Sequence, residues 1–234
     1  GIMIYLDYSA NTPVSEDVLR CFCETEREFF GNPNSTHDAG KAAKERMDEI
    51  TVSIAGLMGA APEEIIYTSC ASESNNTALK GIAALARSRG MHIISTALEH
   101  SSVGGCLTAL QEQGFEVTYL PVDENGKIRL SDLEAAIRPD TILVSIMHTN
   151  NEIGALEPIA EAGELIKRVN PNTLFHVDAV QGYGKAKILP KRMKIDMLSV
   201  SGHKIHGPKG IGFLYVGDRV KIRPIVFGGG QERG

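Results

Sequence analysis

Two rhythms of hydrophobic and polar residues alternate along the 234 residues of this chain. A helical period of about 3.6 marks residues 15–29, 38–58, 73–89, 101–113, 131–138 and 158–169. Between and after these lie short apolar runs rich in β-branched and aromatic residues: EIIYTS (64–69), HIISTAL (92–98), FEVTYLPV (115–122), TILVSIMH (141–148), TLFHVDAV (173–180), DMLSVS (196–201) and GIGFLYV (210–216). Strands that are apolar on both faces and separated by helices predict an α/β fold, with a mostly parallel sheet flanked by helices. No repeat, low-complexity tract or long linker interrupts the order. The segment from Met3 to Pro13, ahead of the first helical pattern, stands apart from it.

Composition narrows the function classes. Hydrophobic residues make up 42% and charged residues 23%, ordinary globular usage that supports a buried core. A net charge of −5 leaves no basic stripe to displace counterions from phosphates, so nucleic acid is not an expected partner. No apolar run approaches the roughly 20 residues that cross a bilayer, and no membrane role is expected. The four cysteines, Cys21, Cys23, Cys70 and Cys106, form neither a C-x-x-C pair nor a disulfide framework. Reduced thiols in a cytoplasmic protein follow as the expectation.

In an open α/β sheet, ligands gather at the carboxyl ends of the strands. The residues there are Ser69 to Ser72, Glu99-His100, Thr149 to Asn151, Asp178 with Gln181, and Ser201 to Lys204. Five chain segments thus converge with a lysine, an aspartate, histidines and hydroxyls. Pyridoxal phosphate asks for such a set: a lysine for the Schiff base, a carboxylate for the pyridine nitrogen, a phosphate cradle and a flat cover for the ring.

Each part has a candidate. Lys204 lies in SGHKIHGPKGIG between His203 and His206, among glycines that let the backbone approach a ring. Neighbouring cations and desolvation are what make a lysine nucleophilic. Asp178 ends a buried strand and shares a face with His176, where a carboxylate is costly without a cation. The stretch TSCASESNN (68–76) joins a strand to a helix start whose N–H groups and serines suit a dianion. His100 could stack on the ring and relay protons. Taken singly, each has a plainer role: a solvated loop lysine, a turn-forming aspartate, capping serines, a structural histidine. Other phosphate motifs fail, because Pro208-Lys209 interrupts a P-loop and Gly210-x-Gly212 never completes a dinucleotide fingerprint. A metal at His203 and His206 lacks a carboxylate or thiolate nearby, so none is expected.

The blocks YLDYSANTPV, GNPNSTH, TSCASESNN, EHSSV, NNEIG, HVDAVQG, SGHKIHGPKGIG and GGGQERG, in this order through nearly the whole chain, resemble the cysteine desulfurases of the class V aminotransferase group. The resemblance implies the large domain of fold-type I pyridoxal-phosphate transferases. It makes Lys204 the Schiff-base lysine, Asp178 the partner of the pyridine nitrogen, and Gln181 a donor to the ring hydroxyl. His100 would stack and move protons, Ala71, Ser72, Ser201 and His203 would surround the phosphate, and Asn151 would face the substrate carboxylate. The implied reaction takes L-cysteine to L-alanine and passes sulfur to an enzyme cysteine as persulfide, for iron–sulfur cluster assembly or other delivery. A homodimer and a sulfur-acceptor or scaffold protein are the implied partners.

Two departures accompany the resemblance. Cys70 stands where the family usually has glycine, adding a side chain at the phosphate turn. The sequence ends at Gly234, ahead of the small domain that carries the family's sulfur-accepting cysteine and substrate arginine. The expected organisation is therefore an N-terminal segment, 1–13, that in the family packs on the small domain, and a large cofactor domain, 14–234, with little or no turnover alone. The competing readings are a selenocysteine lyase or aminotransferase of the same class, and a noncatalytic cofactor-binding or partner-interaction fragment.

Overall fold

The computed structural model describes residues 4–5, 36–68, 71–99, 101–150, 155–179, 188–201 and 212–221. The helix anticipated over 15–29 lies outside the described residues. The other anticipated elements form within a few residues of their predicted bounds.

A seven-stranded sheet is the centre of the molecule, in the order β2-β10-β9-β8-β5-β3-β4. Its strands are β2 (Ile65–Thr68), β3 (His92–Thr96), β4 (Glu116–Leu120), β5 (Thr141–Met147), β8 (Leu174–Asp178), β9 (Met197–Ser201) and β10 (Gly212–Val216). Pairings β3·β4, β3·β5, β5·β8 and β8·β9 are parallel, whereas β10 runs antiparallel to both β9 and β2. Six strands therefore share one direction and β10 alone opposes them. The short connection from β9 to β10 explains this, since a parallel return needs a crossover of a dozen residues or more. Two small pairs lie outside the sheet: β1 (Ile4–Tyr5) with β11 (Val220–Lys221), parallel, and β6 (Thr149–Asn150) with β7 (Ala155–Leu156), antiparallel.

Helices cover both faces. On one side pack α1 (Thr36–Met58), α4 (Leu130–Ala136) and α5 (Ile159–Val169), whose buried stripes, such as Met47, Ile50, Ile54 and Met58, meet Ile94, Val144, Phe175, Val177, Leu198 and Phe213. On the other side α2 (Ala71–Ala86) and α3 (Ser101–Glu112) place Leu79, Ile82, Val103 and Leu107 against Ile66, Ile93, Leu143, Met197 and Leu214. Helix α1 stops at Gly59, whose φ of +66° suits the left-handed cap, with Ala60 N donating to Ala55 O at 2.8 Å and Gly59 N to Gly56 O at 3.3 Å. Helix α5 approaches the 188–196 segment closely: a Cβ on Gly163 would lie 2.0 Å from Met193 O. Among the described residues, no helix is long and apolar enough to cross a membrane.

Candidate functional site

At the carboxyl edge of the sheet, Asp178 closes β8 with only 2% of its surface exposed. Its Oδ2 accepts a hydrogen bond from Asn75 Nδ2 at 3.1 Å, and the same amide nitrogen donates to Ser102 Oγ at 3.1 Å. Asn75 is 1% exposed, in the second turn of α2, while Ser102 is in the first turn of α3. One amide thus joins a strand and the starts of two helices. Asn75 Oδ1 is buried and finds no hydrogen-bond partner, a defect that ordinarily costs ~1–3 kcal/mol. Alongside, Thr68 at the end of β2 shares a 2.8 Å hydrogen bond with Ser74 of α2.

Beneath Asp178, toward the apolar interior, runs a polar ladder across four adjacent strands. Ser95 Oγ donates to Ser145 O at 2.8 Å, Ser145 Oγ pairs with His176 Nδ1 at 2.8 Å, and His176 Nε2 pairs with Ser199 Oγ at 2.9 Å. Complete burial pushes the His176 pKa down to about 3, so the ring is neutral and one serine donates while the other accepts. The sequence pattern had placed His176 and Asp178 on one face, and the ladder shows what that face holds.

Glu99 follows β3 and immediately precedes His100. The residue is part-buried and its carboxyl turns inward: Oε2 accepts from Thr96 Oγ1 at 2.7 Å and from Met147 N at 3.1 Å, while Oε1 is buried with no hydrogen-bond partner. Burial, assisted by the nearby charges of Asp178 and Glu157, raises its pKa from 4.5 to about 8. Burial likewise raises Glu157 to about 7, although its two oxygens accept from Ile128 N at 3.2 and 3.3 Å. Both acids line a cavity of about 10 Å³ with Thr96, Val122 and Met147, room for a single water at most.

The backbones of Ala71 and Ser72 begin α2 at this edge, and Ser201 ends β9, paired with Gly212 at the start of β10. Both ends of the segment that carries Lys204 are therefore at the carboxyl edge. Lys204 itself, with His100, Asn151, Gln181, His203 and Cys70, lies outside the described residues. Cys106 is 3% exposed on α3, and burial pushes its thiol pKa up, which suits a packed thiol and not a nucleophile.

Sequence reasoning passed over Asn75, Ser102 and the inward carboxyl of Glu99. Asn75 carried a signal: it stands on the stripe continued by Ala78, Leu79, Ile82, Ala83 and Ala86, all buried. A polar residue on an apolar stripe must answer a polar group inside. Ser102 and Glu99 gave no comparable sign, because helix-start serines and strand-end acids abound.

The described residues fit pyridoxal phosphate. A helix start for an anion and a buried carboxylate for a protonated heterocycle occur at one edge, with an unmatched buried amide oxygen beside them. Comparison with known proteins agrees. Residues 4–233 match the family described as aminotransferase class-V. The probable mitochondrial cysteine desulfurase of Schizosaccharomyces pombe is 48% identical over 99% of this chain and 46% of its own length. Among solved structures, a NifS-like protein superposes with a TM-score of 0.78 at 42% identity, covering 100% of this chain and 64% of that one. A structure titled "SspA in complex with cysteine" gives a TM-score of 0.76 at 41% identity, over 99% of this chain and 67% of that one. The chain spans about half the length of the first curated relative. Cysteine desulfurases and their class are pyridoxal-phosphate-dependent, and the match runs nearly end to end: this chain belongs to the class-V aminotransferases.

Proposed function

We propose that this chain is the cofactor-binding large domain of a cysteine desulfurase, which converts L-cysteine to L-alanine while its sulfur passes to a protein cysteine as persulfide. The observation that carries the reading is Asp178: a carboxylate closed inside the sheet edge, held by an amide, next to a helix start. Bound there, pyridoxal phosphate supplies an electron sink for chemistry at the α-carbon of an amino acid.

The residues divide the work. Asp178 holds a proton on the pyridine nitrogen, and Gln181 donates to the ring hydroxyl. Ala71, Ser72, Ser201 and His203 hold the phosphate, with the N–H groups that open α2 adding their partial positive charge. Lys204 anchors the cofactor covalently, and His100 covers the ring and moves the proton. Asn151 orients the substrate carboxylate. Residues 14–234 form this unit, and the segment 1–13 packs on the small domain in the complete protein, apart from Ile4–Tyr5, which pairs with Val220–Lys221. A homodimer working with a sulfur acceptor or scaffold for iron–sulfur cluster assembly completes the proposal, and the buried free thiol of Cys106 fits a reducing, cytoplasmic setting.

The test is borohydride reduction of the cofactor-loaded protein, followed by peptide mapping. The label belongs on Lys204, and a label on another lysine overturns the assignment. Asp178→Asn should retain some cofactor while losing alanine formation from cysteine. In the complete protein, alanine and sulfide from cysteine support the desulfurase; alanine from selenocysteine alone, or keto-acid products, would replace it with another member of the class.

A further inference from the structure

We infer that Asn75 is a positioning residue for the cofactor, acting through Asp178. The inference rests on the pyridoxal-phosphate reading above and adds a residue to it. Three observations carry it.

The first is direction. Both described hydrogen bonds of the Asn75 amide use Nδ2, toward Asp178 Oδ2 and Ser102 Oγ. Rotating the amide by half a turn would set its carbonyl oxygen against a carboxylate, so Asp178 fixes the orientation. The second is the unmatched acceptor: Oδ1 is buried without a hydrogen-bond partner, so this side chain is placed for what it donates. Buried groups left in that condition call for a reason, and functional sites are where local rules are broken. The third is location. Asn75 occupies the sheet-facing stripe of α2, whose next turns are the apolar Ala78, Leu79 and Ile82, and it is 1% exposed. An apolar side chain would fill that position without conflict if packing alone mattered.

A neutral donor is suited to this task. It orients the carboxylate and favours its ionised form without neutralising it, as a lysine or arginine would. Asp178 then presents its charge to a protonated ring nitrogen from a fixed geometry. Because Asn75 also grips Ser102, the orientation of Asp178 is linked to the first turn of α3, the helix that begins directly after His100. One amide thus ties the end of β8 to the second turn of α2 and the first turn of α3.

The experiment is a pyridoxal-phosphate titration, read by protein fluorescence and by the absorbance of the bound cofactor across pH, on the complete protein, Asn75→Ala, Asp178→Asn and the double variant. Asn75→Ala should bind the cofactor about tenfold more weakly and shift the pH at which the bound absorbance changes. In the Asp178→Asn background the same substitution should change affinity less than about twofold, since its target is gone. Asn75→Asp should shift the absorbance profile further, because two adjacent carboxyls share a proton. Equal losses in both backgrounds, with an unmoved pH profile, would make Asn75 a packing residue and overturn the inference. Should the alanine variant not fold, Asn75→Gln keeps the amide but displaces its donor and reads the same quantities. A parent protein that binds no pyridoxal phosphate would overturn the underlying site reading, an outcome distinct from a parent that binds and variants that bind equally well.

Discussion

The two ends of the sheet treat their polar groups in opposite ways. At the amino end, charge is closed up. Lys167 Nζ meets Asp196 Oδ2 at 2.5 Å, Phe175 N donates to the same oxygen at 2.8 Å, and Arg219 lies 3.9 Å from the other oxygen. Arg138 is held between Asp140 at 2.9 Å and Glu116 at 2.8 Å, and His92 has a threonine at each ring nitrogen, Thr141 at 2.6 Å and Thr118 at 2.7 Å. At the carboxyl end, the carboxyls of Glu99 and Asp178 receive amide and hydroxyl donors, and two buried oxygens, Asn75 Oδ1 and Glu99 Oε1, are unmatched. Among the described residues, the amino end has its charges paired. The other keeps polar capacity for something that is not part of its own fold, which is how a binding edge differs from a stabilising one.

That contrast can be broken most forcefully at the amino end. Lys167→Met leaves the buried Asp196 without its nearest cation and should cost about 4 kcal/mol in urea unfolding; a loss below about 1 kcal/mol would show that Arg219 and the Phe175 amide suffice. Gly163→Ala attacks the close approach that brings α5, and with it Lys167, onto the 188–196 segment. Its Cβ has no room against Met193 O, so a loss of about 3 kcal/mol is expected in the same measurement.

At the carboxyl end the signature is a pH dependence. The Glu99 pKa is raised from 4.5 to about 8 in the folded protein, so between these values the folded state binds more protons than the unfolded one. Stability attributable to this group therefore falls as pH rises from about 4.5 to 8 and is level above. Glu99→Gln should flatten that slope and make the variant about 2 kcal/mol more stable than its parent at pH 9, measured by melting at a series of pH values. An unchanged slope would mean that the carboxyl ionises freely. The smallest effect belongs to Thr118→Val, which removes one of two partners from His92 and should cost about 1 kcal/mol. A larger loss there would mean that the amino end is less tolerant than its paired charges suggest.

How much of this was legible in the chain follows from the physics of each feature. Apolar runs such as TILVSIM and LFHVD announced buried strands because burial on both faces leaves no other composition stable. The reversed direction of β10 was not visible, since direction is set by the length of a connection and not by the strand's own residues. Asp178 was found as a carboxylate where a carboxylate should be costly. Asn75 was missed for a related reason: its meaning depends on a residue 103 positions away, and only the fold brings the two within hydrogen-bond distance. Glu99 was noted at a strand end, but whether such a carboxyl turns inward is decided by Thr96 and the Met147 backbone.

The ladder through Ser95, Ser145, His176 and Ser199 has one more consequence, for assembly. Strands that are greasy on both sides could slide along one another with little penalty, because a misaligned neighbour still finds oil. A slip of one residue would drive the His176 imidazole into the opposite layer, beside Val144 and Leu198, and strand both its nitrogens. Four small polar groups thus act as a keyway, so that the chain has a single alignment in which its inner strands can lock.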